Sequence, residues 1–97
     1  MFVVRNVFHC KPGKAKDLVV KFKQASPHFH DIGILNTRVL TDTAADFWTV
    51  VVESDVESLQ DYLHAVETRM THPALRDAMA GYMDLVQGGR REIFRIE

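Results

Sequence analysis

From Phe2 to Cys10 the chain alternates, with Phe2, Val4, Phe8 and Cys10 sharing one face and Val3 and Val7 sharing the other with Arg5 and His9. This period of two predicts a strand that is apolar in part on both faces. Pro12-Gly13 interrupts it, and Ala15, Leu18, Val19, Phe22 and Ala25 then recur at three and four residues, which predicts a first helix that Pro27 stops. Ile34 to Thr41 and Phe47 to Glu53 read as two strands joined by the polar stretch Asp42 to Asp46. Ser54-Asp55-Val56-Glu57 has the form of a capping box, followed by the stripe Val56, Leu59, Leu63, Val66 and Met70 of a second helix. Pro73 falls where that stripe would continue, so a break is expected at Thr71-His72 with a new helical piece starting at the proline. Leu75, Ala78, Met79, Tyr82, Met83 and Val86 carry that piece, Gly88-Gly89 would end it, and Arg90 to Glu97 reads as a last strand.

The order is strand, helix, strand twice over. It predicts an α+β, ferredoxin-like βαββαβ sandwich spanning residues 1–97 as a single domain, with an antiparallel four-stranded sheet and the helices on one face. That arrangement leaves a problem at Trp48 to Val52, where β-branched and aromatic residues follow one another without alternation. A strand written this way needs cover on both faces, and the helices supply only one. A second copy of the chain is the simplest cover, so a homodimer is expected. At 97 residues, dimerisation would also enlarge a core that is modest alone.

Composition narrows the partners more than it defines them. A net charge of −1, with 46% hydrophobic and 26% charged residues, lacks the basic excess that a phosphate backbone rewards, so nucleic acid is not an expected partner. The apolar stretch Met1 to Val4 is cut by Arg5, too short for a signal peptide or a membrane span, and the single cysteine forms no intrachain disulfide. A cytoplasmic location with no membrane partner is the expectation that follows. The charges are nonetheless segregated: residues 1–40 carry seven Lys/Arg against two acids, and residues 41–86 carry nine acids against two Arg. Mutually compensating helix surfaces account for this; an anion site on Lys11, Lys14, Lys16, Lys21 and Lys23 is the alternative.

The whole chain resembles the dimeric α+β barrel superfamily, which includes antibiotic-biosynthesis monooxygenases, haem-degrading monooxygenases and NIPSNAP-like proteins. The segments that carry the resemblance are Lys11-Pro12-Gly13-Lys14-Ala15, Thr49 to Ser54, and Gly88 to Ile96. It implies two ferredoxin-like sheets packed face to face into a dimeric α+β barrel, in agreement with the burial argument, and it implies no single activity.

Within that resemblance one constellation can be compared with the haem-degrading branch, whose pocket uses a first-strand Asn, a helix Trp and a His ten residues later. Asn6, Tyr62 and His72 occupy corresponding positions, with Tyr in place of Trp and with Pro73 placing His72 at a helix junction. Together with Phe8 they are the candidate pocket residues. The structural alternatives are that Asn6 satisfies a backbone group, that Tyr62 is a core aromatic, and that His72 caps the third helix. His28-Phe29-His30-Asp31 puts two imidazoles on one side of an extended segment, but no paired Cys or His-Glu helix motif accompanies them, and a solvent-facing loop without a metal is expected. Cys10 reads as a small buried hydrophobe.

No motif specifies a reaction, and neither a general acid and base pair, a nucleophile set nor a phosphate loop is present. The expectation is a cavity between sheet and helices that accepts a small, mostly apolar molecule without a cofactor. Oxidation of a phenol-like substrate without a cofactor is the enzymatic form of that expectation. A non-catalytic ligand-binding or assembly module is the alternative, and haem held by His72 a lower one.

Overall fold

A computed structural model describes residues 1–97, except for the side chain of Met70, so the part of the second apolar stripe that rests on Met70 lies outside the described residues. The elements run β1 (Phe2–Cys10), α1 (Ala15–Phe29), β2 (Leu35–Thr41), β3 (Thr49–Val56), α2 (Leu59–Thr68), α3 (Pro73–Met79) and β4 (Val86–Arg95). Short 3₁₀ turns follow each of the three helices, at His30–Ile32, Arg69–Thr71 and Tyr82–Asp84. The four strands form one antiparallel sheet in the order β2-β3-β1-β4, the ferredoxin-like α+β arrangement.

The alternation along β1 sorts its side chains as expected. Phe8 and Cys10 join Val50 and Val52 of β3 against Leu18 and Phe22 of α1, while Val4 and Val56 pack with Tyr62 of α2. The Phe8 and Phe22 rings lie 5.2 Å apart, tilted, and Tyr82 meets Phe8 edge-on at 6.5 Å. Cys10 is buried in this core, and burial pushes its thiol above the usual range, which leaves it neutral and structural.

Several boundaries differ from those the sequence predicts, each for a local reason. Helix α1 runs through Pro27 to Phe29; the Lys23 carbonyl, which Pro27 cannot serve, lies 3.5 Å from the Ser26 hydroxyl. His28 and His30 therefore stand on helical turns and not on an extended loop. Ser54 and Val56 belong to β3, because strand pairing with β1 extends to Phe2↔Val56. The helix starts instead at Ser58, whose hydroxyl accepts the Asp61 N–H at 3.0 Å. That shift turns α2 so that Tyr62 and Ala65 face the core while Leu59 and Leu63 are exposed. Gly81, at φ 79°, ends the third helical stretch before Tyr82, and Gly88-Gly89 lie inside β4. Gly89 sits opposite Phe8, where an added Cβ would fall on the Val7 carbonyl oxygen, so the close pairing of β1 with β4 needs a glycine there.

The sheet face turned away from the helices carries a row of charges that crosses all four strands. Register places Arg38 beside Glu53, Glu53 beside Arg5, and Arg5 beside Glu92. Arg5 Nε donates to Glu53 Oε2 at 2.9 Å, Arg38 pairs with the other Glu53 oxygen, and Arg5 lies 3.6 Å from Glu92. The Arg5 hydrogen bond, helped by Arg38, holds the Glu53 carboxyl below its ordinary range against the opposing effect of burial. Val7, Val51 and Leu40 form an apolar row on one side of these charges, and Val3 and Phe94 stand on the other.

Because Glu53 titrates lower in the folded chain than in the unfolded one, its ionised form stabilises the fold above the ordinary Glu value of about 4.3, and that contribution is lost as pH falls through the lower folded value. Glu53→Gln should therefore cost about 1–3 kcal/mol at pH 7. The gap between variant and parent should narrow in acid, as measured by urea unfolding at pH 7 and pH 3. A gap independent of pH would mean that the ionic row contributes nothing through Glu53.

Candidate functional site

Between the helix-facing side of β1 and β4 and the two later helices lies a cavity of about 570 Å³. Asn6 and Phe8 reach it from β1, Arg91 from β4, Tyr62 and Ala65 from α2, and Leu75 from α3. Phe22 and Phe29 of α1 extend the apolar wall, and Arg69 and Arg76 line it from the turn after α2 and from α3. The volume is in the range of small-molecule pockets, and the lining has their usual character: mostly apolar, with a few polar groups.

Three of the four residues singled out from the sequence meet here. Asn6 does not serve a backbone group: its Oδ1 accepts from Arg91 Nε at 2.7 Å. The Arg91 guanidinium in turn stands 5.3 Å over the Tyr62 ring, so strand and helix are joined through one arginine. Tyr62 is 6% exposed and packs with Val4 and Val56, so it is both a core aromatic and a wall of the cavity. Phe8 supplies the floor. Arg91 escaped the sequence reading because β4 was expected as a plain closing strand; its register opposite Asn6 was the missing information.

His72 is not among the lining residues. It is the N-cap of α3, with Nδ1 accepting the Leu75 N–H at 3.4 Å. Since a backbone amide can only donate, the ring proton belongs on Nε2, which faces Asp31 Oδ2 at 3.1 Å. His28 lies nearby, its ring 5.6 Å from that of His72, and His28, Asp31 and His72 bring their ligand atoms within 4.8 Å of one another. A metal on His72 Nε2 would need the proton moved to Nδ1, against the Leu75 amide, so the trio is better described as a clasp between the end of α1 and the start of α3. The same two hydrogen bonds leave no imidazole lone pair for haem iron.

Among the described residues, the cavity lining contains no Asp, Glu, His, Cys or Lys. It holds hydrogen-bond donors and rings but no carboxylate or imidazole to take a proton. None of the five lysines considered from the sequence lines it; Lys21 instead donates to the Ala80 carbonyl, tying α1 to the end of α3.

No protein-family model matches the chain, and no curated protein matches it in sequence. Solved structures do. A NIPSNAP family protein of unknown function from Agrobacterium tumefaciens superposes with a TM-score of 0.82 at 13% identity, covering 99% of this chain and 87% of that one. An uncharacterised NIPSNAP domain protein from Burkholderia xenovorans gives 0.81 at 10% identity, over 100% and 95% of the two chains. A proposed antibiotic biosynthesis monooxygenase from Chloroflexus aurantiacus gives 0.77 at 14% identity, over 99% and 93%. The chain thus has the fold of NIPSNAP and antibiotic-biosynthesis-monooxygenase-like proteins, as the resemblance in its sequence implied, and at these identities the likeness is one of fold. Among the described residues, no helix is long and apolar enough to cross a membrane.

The capping role of His72 has a measurable consequence. His72→Ala should lower stability by about 1 kcal/mol, whereas His72→Asn should stay within about 0.5 kcal/mol of the parent, because Asn is among the best N-cap residues. Thermal or urea unfolding of the two variants checks this, and equal losses in both would show that the Asp31 contact, rather than the cap, is what matters.

Proposed function

We propose that this chain is a small-molecule-binding protein whose cavity between sheet and helices accepts a compact, mostly apolar ligand. The observation that carries the reading is the cavity of about 570 Å³, floored by Phe8 and walled by Phe22, Phe29, Tyr62 and Leu75. Burying an aromatic ring there would remove apolar surface on both partners, at roughly 25 cal/mol per Å². Asn6, Arg91 and Tyr62 supply the few polar contacts that orient a ligand. Binding without catalysis is favoured over cofactor-free oxidation of a phenol-like substrate, because that chemistry needs a base for the phenolic proton and the described lining has no carboxylate or imidazole. The fold shared with the Chloroflexus aurantiacus protein keeps oxidation as the second reading.

Titration with 2-naphthol, neutral at pH 7, tests the cavity directly. One saturable site per chain is expected, lost when the half-buried lining residue Met79 is enlarged in Met79→Trp. Oxygen uptake by the saturated complex would move the protein into the oxidising class, and no saturable binding would overturn the reading.

The working form in this proposal is a homodimer with the two sheets face to face. What supports it is the face opposite the helices, where Val51 is half-buried, Leu40 is 40% exposed and Phe94 is 48% exposed around a charge row already neutralised within the chain. Sedimentation equilibrium at low micromolar concentration should give twice the chain mass, as an interface of roughly 2,000 Å² or more would hold it together there. Val51→Asp should shift the protein to monomer or remove it from solution; a dimer unchanged by Val51→Asp would place the interface elsewhere.

A further inference from the structure

We infer that the ligand of this cavity is an amphipathic anion, an apolar body carrying one carboxylate or similar group, received by Arg91 with Arg69 and Arg76 around it; the inference rests on the cavity being a ligand site. The distribution of charge argues for it first. Residues 41–86 hold nine acids and two arginines, Arg69 and Arg76, and both of those arginines line the cavity while none of the nine acids is among its described lining residues. In a segment so acidic, chance would mix the signs. β4 adds Arg91 and its neighbour Arg90, of which Arg90 is already paired with Glu92.

The pairing of the arginines argues for it second. On the opposite sheet face Arg5 and Arg38 each lie within 4.0 Å of a glutamate, and Arg90, which also touches the cavity, is paired with Glu92 at 3.7 Å. Among the described residues neither Arg69 nor Arg91 has such a carboxylate, and the acid beside Arg76 is its exposed chain neighbour Asp77, at 3.5 Å. Arg91 is also oriented in advance: Asn6 Oδ1 takes its Nε–H at 2.7 Å and the Tyr62 ring supports the guanidinium at 5.3 Å. The terminal Nη groups are the donors that remain, in the planar fork that matches a carboxylate. A neutral apolar ligand would leave these charges unused; a carboxylate brought into an apolar cavity without them would be expelled by the cost of desolvation.

Paired isosteric probes separate this from the cavity reading itself. Isothermal titration at low salt should show 2-naphthoate binding at least tenfold more tightly than 2-naphthamide, which has the same shape without the charge. Arg91→Met, which keeps the aliphatic volume, should bring the ratio close to one by weakening 2-naphthoate far more than 2-naphthamide. Arg91→Lys, folded as judged by its melt, should retain part of the preference, as should Arg69→Gln. Equal affinity of the parent for both probes, or a ratio that Arg91→Met leaves intact, overturns the anion and spares the cavity; failure of both probes to bind overturns the two together.

Discussion

The position of β1 between β3 and β4 constrains everything else in this chain. A central strand has no free edge, so each of its side chains must be satisfied from above, below or across. The apolar even-numbered residues from Phe2 to Cys10 are covered from the helix side, Asn6 is met by Arg91 of β4, and Phe8 against Phe22 is the contact that brings α1 down onto the sheet. Arg5 on the other face is satisfied across the strands, by Glu53 on one side and Glu92 on the other. The Glu53 side chain is only 12% exposed even in the isolated chain, and its charge is compensated by Arg5 first and by Arg38 beside it. A slip of one residue would turn Arg5 into the helix core, and the ionic row therefore fixes register as firmly as the valines do.

How much of this was legible depended on the range of the interaction. The order of elements, the bounds of β1 and the apolar set of α1 follow from periodicity, which is local. The start of α2 was misplaced because Ser54 and Ser58 both offer a cap, and only pairing of Val56 with Phe2 decides that Ser54 stays in the strand. The apolar stripe then pointed to Leu59 and Leu63, which are exposed, in place of Tyr62 and Ala65. At the other end, a run of residues spaced like a helix from Leu75 to Val86 is broken by Gly81 in the left-handed region, which spacing alone does not register.

The candidate site shows the same division. Asn6, Phe8 and Tyr62 could be placed near one another from the order of elements, since first strand and second helix adjoin in this arrangement. The link between them could not, because Arg91 stands 85 positions from Asn6 and meets it only through the β1–β4 register. His72 illustrates the opposite case. Its cap of α3 follows from Pro73 in the next position, a local signal, and that cap turns both ring nitrogens toward Leu75 and Asp31 and away from the cavity.

Two populations of arginine result, Arg5 and Arg38 on the open face and Arg69, Arg76 and Arg91 at the cavity, with Arg90 of β4 touching the cavity while paired with Glu92. Those on the open face are members of a neutral row whose acids alternate with them strand by strand, a surface that a second such sheet could meet without burying net charge. Those on the helix side are arranged around an apolar volume with no acids among the described lining residues. Neither arrangement follows from the net charge of −1, which averages them away. The difference lies in partners: cross-strand neighbours about 5 Å apart can neutralise one another, whereas the cavity arginines, each of them exposed, are left to water or to an anion at the cavity.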